Sequence, residues 1–534
     1  MSQPPRIELT RQGWYHRDGF HCRGWCWDAA GTYQSADGIA SLFPPQPTRE
    51  QFQQVISTLN GCFAIVCLSG NAVFAAVDRI RSMPLFYTSG LGGMILSDDA
   101  RIAAGTLSNI RTGDLPLAEF LLTGYVTGRD TLCEGLFQMR AGEMLEWDGG
   151  MPDPTLSTYY SYVHRERTDL PEAALHSQLE ALHMDIACRL AESAAGRQIV
   201  IPLSGGLDSR LIARCLAKLD VPDVLCFSYG NPRSREARLS KVVANAHKLP
   251  WVFVPQDAKM WHSAYQSDAR KHYYLLADNL SASAHIQDWL AVRELQARHL
   301  VREDAVFVPG HSADFLEGSH LPELFLSKPS FSPLDVAEAI IARHYRLWNF
   351  SAVEIPTREA LTGRIMAATG HADMSPEGAA GAFETFDWRE RQAKFIVNSV
   401  RVYEFFGYDW RLPLWDNALL DFWSAMPLSA RMGRSFYLRH AEQAGDLAIP
   451  RYTHENLLTR VRQRIIRDSR GYSYDARYAR FLSDPSSRDA ARAKVASLCP
   501  TRLKLPSFVD LDLPILRADI NALQTLVMLR EWLG

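Results

Sequence analysis

The spacing of apolar residues changes character near residue 155. Before that point the chain is written in short alternating or apolar runs broken by glycine turns. Residues 20–27 alternate aromatic and Cys with polar side chains. Residues 63–68 and 72–77 are apolar runs divided by Ser69-Gly70-Asn71, and residues 85–88 and 94–97 flank Gly90-Leu91-Gly92-Gly93. Residues 141–147 form one more run before Asp148-Gly149-Gly150. Such runs with turn residues between them predict strands, and short strands in series predict a β-rich sheet sandwich.

Past a loop at 151–158 the period becomes helical over 170–194. A buried-type strand at 199–203 leads into a helix whose stripe is Leu211, Ile212, Cys215, Leu216 and Leu219. Strand 224–229, helix 237–247, strand 251–254, a helical stretch at 283–299 and strand 305–308 continue the alternation. This order predicts a parallel sheet covered by helices on both faces. From about residue 333 to the end the pattern is mostly helical, and the basic stretch 460–467 reads as a solvated helix face.

Composition narrows the classes. With 534 residues, 47% hydrophobic and 22% charged, the chain is globular and long enough for two or more domains. Its formal charge of −3 does not suit a general nucleic-acid clamp. No apolar run reaches the ~18 residues of a membrane span, and the first residues lack the apolar stretch of a signal peptide, so a cytoplasmic location is expected. Nine Cys is an odd number and argues against a full disulfide set. Cys22 and Cys26 beside His21 lack further ligands at metal spacing and read as buried thiols.

The most informative segment is Ile199-Val200-Ile201-Pro202-Leu203-Ser204-Gly205-Gly206-Leu207-Asp208-Ser209-Arg210. A strand runs into two glycines and then a helix. Without Cβ atoms, Gly205 and Gly206 let the backbone turn and present N–H groups to an anion, and the positive end of the helix faces the same spot. Ser204 and Ser209 add hydroxyl donors, and Asp208 can hold a Mg²⁺ beside pyrophosphate.

This segment resembles the phosphate loop of AMP-forming, ATP-dependent ligases, and specifically that of the asparagine synthetase superfamily. Further segments follow in the order that family shows: Asn60-Gly61-Cys62-Phe63-Ala64, the stretch from Asp78 to Tyr87, the linker strand in 132–146, Cys226-Phe227-Ser228-Tyr229-Gly230 with Glu236 after it, Pro309-Gly310-His311-Ser312-Ala313-Asp314, and Arg411-Leu412-Pro413-Leu414-Trp415-Asp416. The resemblance implies an α/β chain in two parts. A degenerate, glutaminase-like β-sandwich of α+β class would occupy 1–155. A parallel-sheet PP-loop ATP-pyrophosphatase domain with a helical C-terminal part would occupy 156–534. It further implies ATP and Mg²⁺, with Leu203, Ser204, Gly205, Gly206, Asp208, Ser209, Phe227, Ser228 and Gly310 around the nucleotide and Asp208 and Asp314 on the metal. The implied reaction adenylates a carboxylate and passes the acyl group to an amine.

Three departures from the family qualify that picture. Ser2 stands where glutamine-hydrolysing members have Cys, and the segment before Asn60 is short and lacks the glutamine-clamping motif, so ammonia or another amine would come from solution. His311 stands where amidating members have Glu and β-lactam-forming ones Tyr; an imidazole there is a candidate general base. Ser435 stands where the family has Lys, leaving Arg434 or Arg439 to supply the charge; Glu404 and Asp409 are candidate orienting acids. A narrower resemblance joins 203–211, 308–315, Gly318-Ser319-His320 and 411–416 to the asparagine-synthetase-like proteins of bacterial surface-polysaccharide clusters. It implies a sugar uronate as the carboxylate. An intramolecular amide-forming cyclase and an inactive nucleotide-binding homologue stay open as alternatives. The expected partners are the carboxylate, the amine and a second copy of the chain in a homodimer, with no nucleic acid.

Overall fold

The computed structural model of the protein describes residues 5–89, 94–149, 151–167, 169–370, 374–446 and 520–533. Ser2, the turn at 90–93, Gly150 and the basic stretch 460–467 lie outside the described residues.

The N-terminal unit is built on an antiparallel sheet in the order Thr155–Thr158, Glu143–Asp148, Ala72–Val77, Asn60–Ser69, Phe20–Trp27, Trp14–Arg17, with Tyr33–Ser35 also paired to Phe20–Trp27. Its strands alternate strictly. Cys22, Cys26, Phe63, Ile65, Cys67, Phe74 and Ala76 face one side. Trp25, Trp27, Cys62, Ala64, Val66, Val73, Ala75 and Val77 face the other. The second face shares its core with a smaller sheet ordered Arg6–Glu8, Ile95–Ser97, Phe86–Thr88, Leu136–Gln138.

The first face is covered instead by helices Ala36–Ser41 and Arg49–Thr58, through Ile39, Phe52 and Ile56, with Phe43 from the connection between them. The strand pattern gave no sign of these helices. Arg49–Thr58 buries only Phe52 and Ile56, a stripe too thin to register as helical period, although Thr48 and Gln51 form a complete capping box. The last strand, Thr155–Thr158, pairs with Glu143–Asp148, so this sheet runs three residues past the boundary expected at 155.

The second unit has a five-stranded, wholly parallel sheet in the order Trp251–Pro255, Val224–Gly230, Ile199–Pro202, Val306–Phe307, Asp409–Trp410. Helices Glu172–Ala194, Leu207–Lys218 and Arg235–Ala246 lie at or beside the positions read from the sequence. The helical stretch expected from 283 begins only at Trp289. Backbone groups upstream are committed elsewhere: Ser281 accepts from Val126 N–H at 2.8 Å and Ser283 donates to Gly124 at 2.6 Å, which ties this segment to the first unit. Helix Ile520–Leu533 returns the end of the chain to the first unit, where Trp532 packs beside Phe86 and Ile95.

The two units meet along a seam of buried polar contacts. Asn60 donates to Asp416 at 2.9 Å and accepts from the Asn417 N–H at 3.0 Å. Arg189 pairs with the same Asp416 carboxylate at 2.7 Å. The Arg411 guanidinium lies 4.7 Å over the Trp25 ring and donates to Tyr33 and Ser193. A cleft of about 470 Å³, counted with its open mouth, runs along this seam between Trp25, Trp27, Arg79, Arg189 and Arg411. The described Cys are all free, and Cys22 and Cys26 are core residues under the helical layer, while His21 points the other way toward His16. No described helix is long and apolar enough to cross a membrane.

Candidate active site

Ile199–Pro202 is the middle strand of the parallel sheet, and Ile199, Val200 and Ile201 are buried on both faces. Its neighbours run the same way, so the chain leaves each strand at one common edge. This is where ligands sit in open parallel sheets. At that edge Leu203 N–H donates to Phe227 at 2.8 Å, Val308 N–H to Val200 at 2.9 Å, and Arg411 N–H to Phe307 at 2.9 Å. These bonds hold three of the sequence segments side by side.

Between strand and helix the loop is fastened to itself. Ser204 N–H donates to Ser209 Oγ at 3.1 Å, the two hydroxyls lie 3.2 Å apart, and Gly206 N–H donates to Ser204 Oγ at 3.1 Å. Helix Leu207–Lys218 then opens with Asp208 in its first turn and Gly206 as its cap. Gly310 is required by contact. A Cβ there would sit 2.7 Å from Ser209 N, so only glycine lets the 309–314 loop lie against the start of the helix. Leu203 and Phe227 are core side chains at the strand ends, and Phe227 stacks edge-on against Phe307. Their side chains are turned into the core, and their backbone groups lie at the sheet edge. Ser228 and Ser209 are also buried.

The charged groups converge where the loop meets 309–317. Asp314 N–H donates to Asp208 Oδ2 at 3.1 Å, and Arg434 donates to Asp208 Oδ1 at 3.1 Å. Arg434 also binds Glu317. Burial, and then the Asp314 charge, push the Asp208 carboxyl up to about 6, with Arg434 pulling the other way. Burial would raise Asp314 too, but His320 holds it low through its hydrogen bond and its charge. His320 lies 3.5 Å from Asp314 and 2.5 Å from the buried Asp387. Burial opposes its protonation, yet Asp387 and Asp314 lift it to about 9. Two carboxylates that repel each other at a phosphate-type loop are a donor set suited to a divalent cation with phosphate oxygens, and Mg²⁺ fits it.

The remaining expected residues separate. His311 is half-buried, with its Nε2 2.7 Å from the Ser399 hydroxyl. Burial, then His285, lower its pKa to about 4, so the imidazole is uncharged near neutrality rather than poised at its free value. Glu404 does not join this group. Its oxygens accept from Arg401 at 2.7 Å and Trp410 at 3.0 Å, with Arg23 of the first unit 3.3 Å away, so it belongs to the seam. Asp409 pairs with Arg197 at 2.5 Å on the surface. Arg439 pairs with Glu172 at 2.6 Å on an exposed face, whereas Arg434 reaches Asp208. Gly433 and Arg434 both have φ near +62°, and this left-handed pair turns the chain back toward the loop. The Ser435 hydroxyl donates to Ala430 at 2.8 Å and caps the preceding turn.

Residues that sequence reasoning missed are Glu317, His320 as a bridge, Asp387 and Ser399. Glu317 stands three residues after Asp314, a spacing that puts both on one side of a helical turn. Asp387 and Ser399 come from distant helices and carry no local signal.

Residues 192–456 match the family model for asparagine synthase. That segment is similar to asparagine synthase domains. The phosphate-type loop, Asp208, Asp314, Glu317 and Arg434 all lie inside it. Carboxyethyl-arginine beta-lactam-synthase of Streptomyces clavuligerus is 26% identical over 230 residues, covering 40% of this chain and 42% of that protein. The chain thus spans less than half the length of the curated relative it matches. Among solved structures, an NH3-dependent NAD synthetase from Campylobacter jejuni overlaps 36% of this chain and 93% of its own at 13% identity and a TM-score of 0.20. Glutamine phosphoribosylpyrophosphate amidotransferase from B. subtilis overlaps 56% and 63% at 12% identity and a TM-score of 0.19. Overlaps this loose establish no common fold. The likeness to asparagine synthase rests on the family match alone.

Proposed function

We propose that the protein is an ATP-dependent, AMP-forming amide ligase. The observation that carries this is the meeting of Asp208, Asp314 and Arg434 at the strand-to-helix loop. A carboxylate oxygen of the substrate attacks the α-phosphorus of ATP and pyrophosphate leaves. An amine then attacks the acyl carbon, AMP leaves, and the amine's proton passes to a base. Mg²⁺ held by Asp208 and Asp314 would neutralise the phosphates. The loop N–H groups and the hydroxyls of Ser204 and Ser209 orient the phosphate chain, and Arg434 supplies the fixed positive charge in place of the family's Lys. His311, uncharged near neutrality and hydrogen-bonded to Ser399, accepts the amine's proton.

The nitrogen comes from free ammonia or another amine. Supporting this, the Asn60 side chain is spent on Asp416 and Asn417 across the seam. The first unit is then a scaffold rather than a glutaminase, and we assign Glu404 to that scaffold. We take the carboxylate to be a sugar uronate, the reaction to be cytoplasmic and the working form to be a homodimer. A second reading is intramolecular ring closure, favoured by the Streptomyces clavuligerus relative whose name is a β-lactam synthase. Pyrophosphate exchange with a panel of uronates and amino-carboxylates tests the first half. Exchange that needs a uronate, followed by product only when ammonia is added, supports intermolecular amidation. Product without added amine supports ring closure, and no exchange with any carboxylate overturns both.

A further inference from the structure

A second cluster of chemistry-bearing side chains lies away from the loop, where helices Glu172–Ala194, Leu207–Lys218 and Ser435–Gln443 meet. Glu180 and His183 sit three residues apart on the first helix and therefore share a face. His440 approaches from the last turn of the third. One ligand atom from each of the three lies within 4.8 Å of the others. His183 and His440 are buried, and the Nδ1 atoms of both have no hydrogen-bond partner. The Nε2 of His440 faces Glu180 Oε2 at 3.5 Å.

Buried polar atoms in folded proteins are almost always paired, so orphaned imidazole nitrogens on two residues whose ligand atoms also converge on Glu180 ask for an absent partner. An apolar cavity of about 270 Å³, lined by His183, Ile186, Leu211 and Cys215, opens beside the cluster. We propose that Glu180, His183 and His440 bind one divalent transition ion of the zinc class, with a water completing a four-coordinate site.

The donor set decides the class. Two imidazoles and one carboxylate suit Zn²⁺, Co²⁺ or Ni²⁺, whereas Mg²⁺ and Ca²⁺ take oxygen donors. In a tetrahedral zinc site ligand atoms stand roughly 3.3 Å apart, given bonds of about 2.0–2.1 Å, so modest side-chain rotation closes the present triangle. The surrounding charge is also suitable. Arg214 grips Glu180 at 2.6 and 2.9 Å, the outer support that ligating carboxylates commonly have. Lys218 touches Glu180 at 2.8 Å from a side chain that is half exposed and can turn to water. Asp446 sits 3.1 Å from Arg214 and offsets its charge.

The ion would fasten the third helix to the first. That helix begins directly after Arg434, so His440 stands about 9 Å along the axis from the residue that reaches Asp208. The proposal concerns binding alone and does not depend on the ligase reading.

The full chain is stripped with a chelator, titrated with Co²⁺ and followed by visible ligand-field absorption, and Zn²⁺ per chain is counted by elemental mass spectrometry. About one equivalent is expected in the wild type, with loss of tenfold or more in affinity for Glu180→Gln, His183→Ala and His440→Ala. His16→Ala, which removes half of the exposed His16–His21 pair, should leave binding intact. Binding that survives both His183→Ala and His440→Ala, or that vanishes with His16→Ala, overturns the assignment. Should the core variants fail to fold, the wild type alone decides: Zn²⁺ must raise its melting temperature and give an imidazole-type Co²⁺ spectrum, and absence of both overturns it.

Discussion

The charged side chains at the phosphate-type loop and those along the seam between units are balanced differently. At the seam the two central carboxylates are fully engaged. Asp416 is shared by Arg189, Asn60 and the Ala418 N–H, and Glu404 by Arg401, Arg23 and Trp410. At the loop, Asp208 and Asp314 stand side by side with one guanidinium between Asp208 and Glu317. Burial and mutual repulsion leave the Asp208 carboxyl raised to about 6. Saturated buried pairs hold structure, whereas a frustrated pair at a strand end is arranged for something that arrives. Substitutions should therefore divide cleanly: those at the loop change turnover and spare the fold, and those at the seam do the reverse.

The largest effect is expected at the loop. Asp208→Asn should lower pyrophosphate exchange by about 10³-fold or more, the span for losing a metal ligand or a preorganised charge at a reacting phosphate. Its melting temperature should stay within a few degrees of wild type. Normal exchange in this variant would erase the distinction between the two regions.

The next effect is on stability and follows pH. His164 lies in the connection between the units, buried, and its Nδ1 accepts from Arg431 at 3.0 Å while Arg431 pairs with Glu384. Burial, then the Arg431 charge, bring its folded pKa to about 3, below the ~6.5 of an unfolded chain. The unfolded state thus binds the extra proton first. This contribution is complete above pH ~6.5 and is lost as pH falls toward about 3, by a few kcal/mol at most. Melting temperature measured from pH 7 to 4 should fall less steeply in His164→Asn, which keeps an acceptor and cannot charge. An identical slope would place the acid sensitivity elsewhere.

A smaller loss is expected from Asp416→Ala. It removes the partner of Arg189 and Asn60 and a helix N-cap, and should cost about 2 kcal/mol, read as a lower melting temperature. Exchange per folded molecule should be unchanged. A drop in exchange at full folding would mean that the seam transmits to the loop.

What could be read from the chain follows the range of the interactions. Ile199–Pro202, Val224–Gly230 and the glycine turn into Leu207–Lys218 were legible because period and turn chemistry are local. The carboxylates of the loop were legible through their motif. Asn60 carried a motif as well, but its partners Asp416 and Asn417 are more than 350 residues away, and nothing near it showed that its amide would be used up. Glu404 failed for the same reason: a carboxylate beside the Arg411 segment in sequence is bound to Arg23 in space. The Glu180, His183 and His440 cluster escaped notice because each histidine alone reads as an ordinary core or surface residue.

The smallest effect is the most discriminating test of the two arginines on either side of Ser435. Both carry the charge that the missing Lys would have supplied, and sequence gives no ground to choose between them. Arg439 pairs with Glu172 where both side chains are about half exposed, and such surface pairs are worth roughly 0–1 kcal/mol. Arg439→Ala should therefore leave exchange within about twofold of wild type and shift the melting temperature by a degree or so at most. Arg434→Ala, by contrast, strips the only guanidinium hydrogen-bonded to Asp208 among the described residues and should cost exchange about 10²-fold, with partial recovery in Arg434→Lys. Equal losses in the two alanine variants would mean that the charge acts at a distance through the field of the helix rather than by contact. That outcome would return Arg439 to the site.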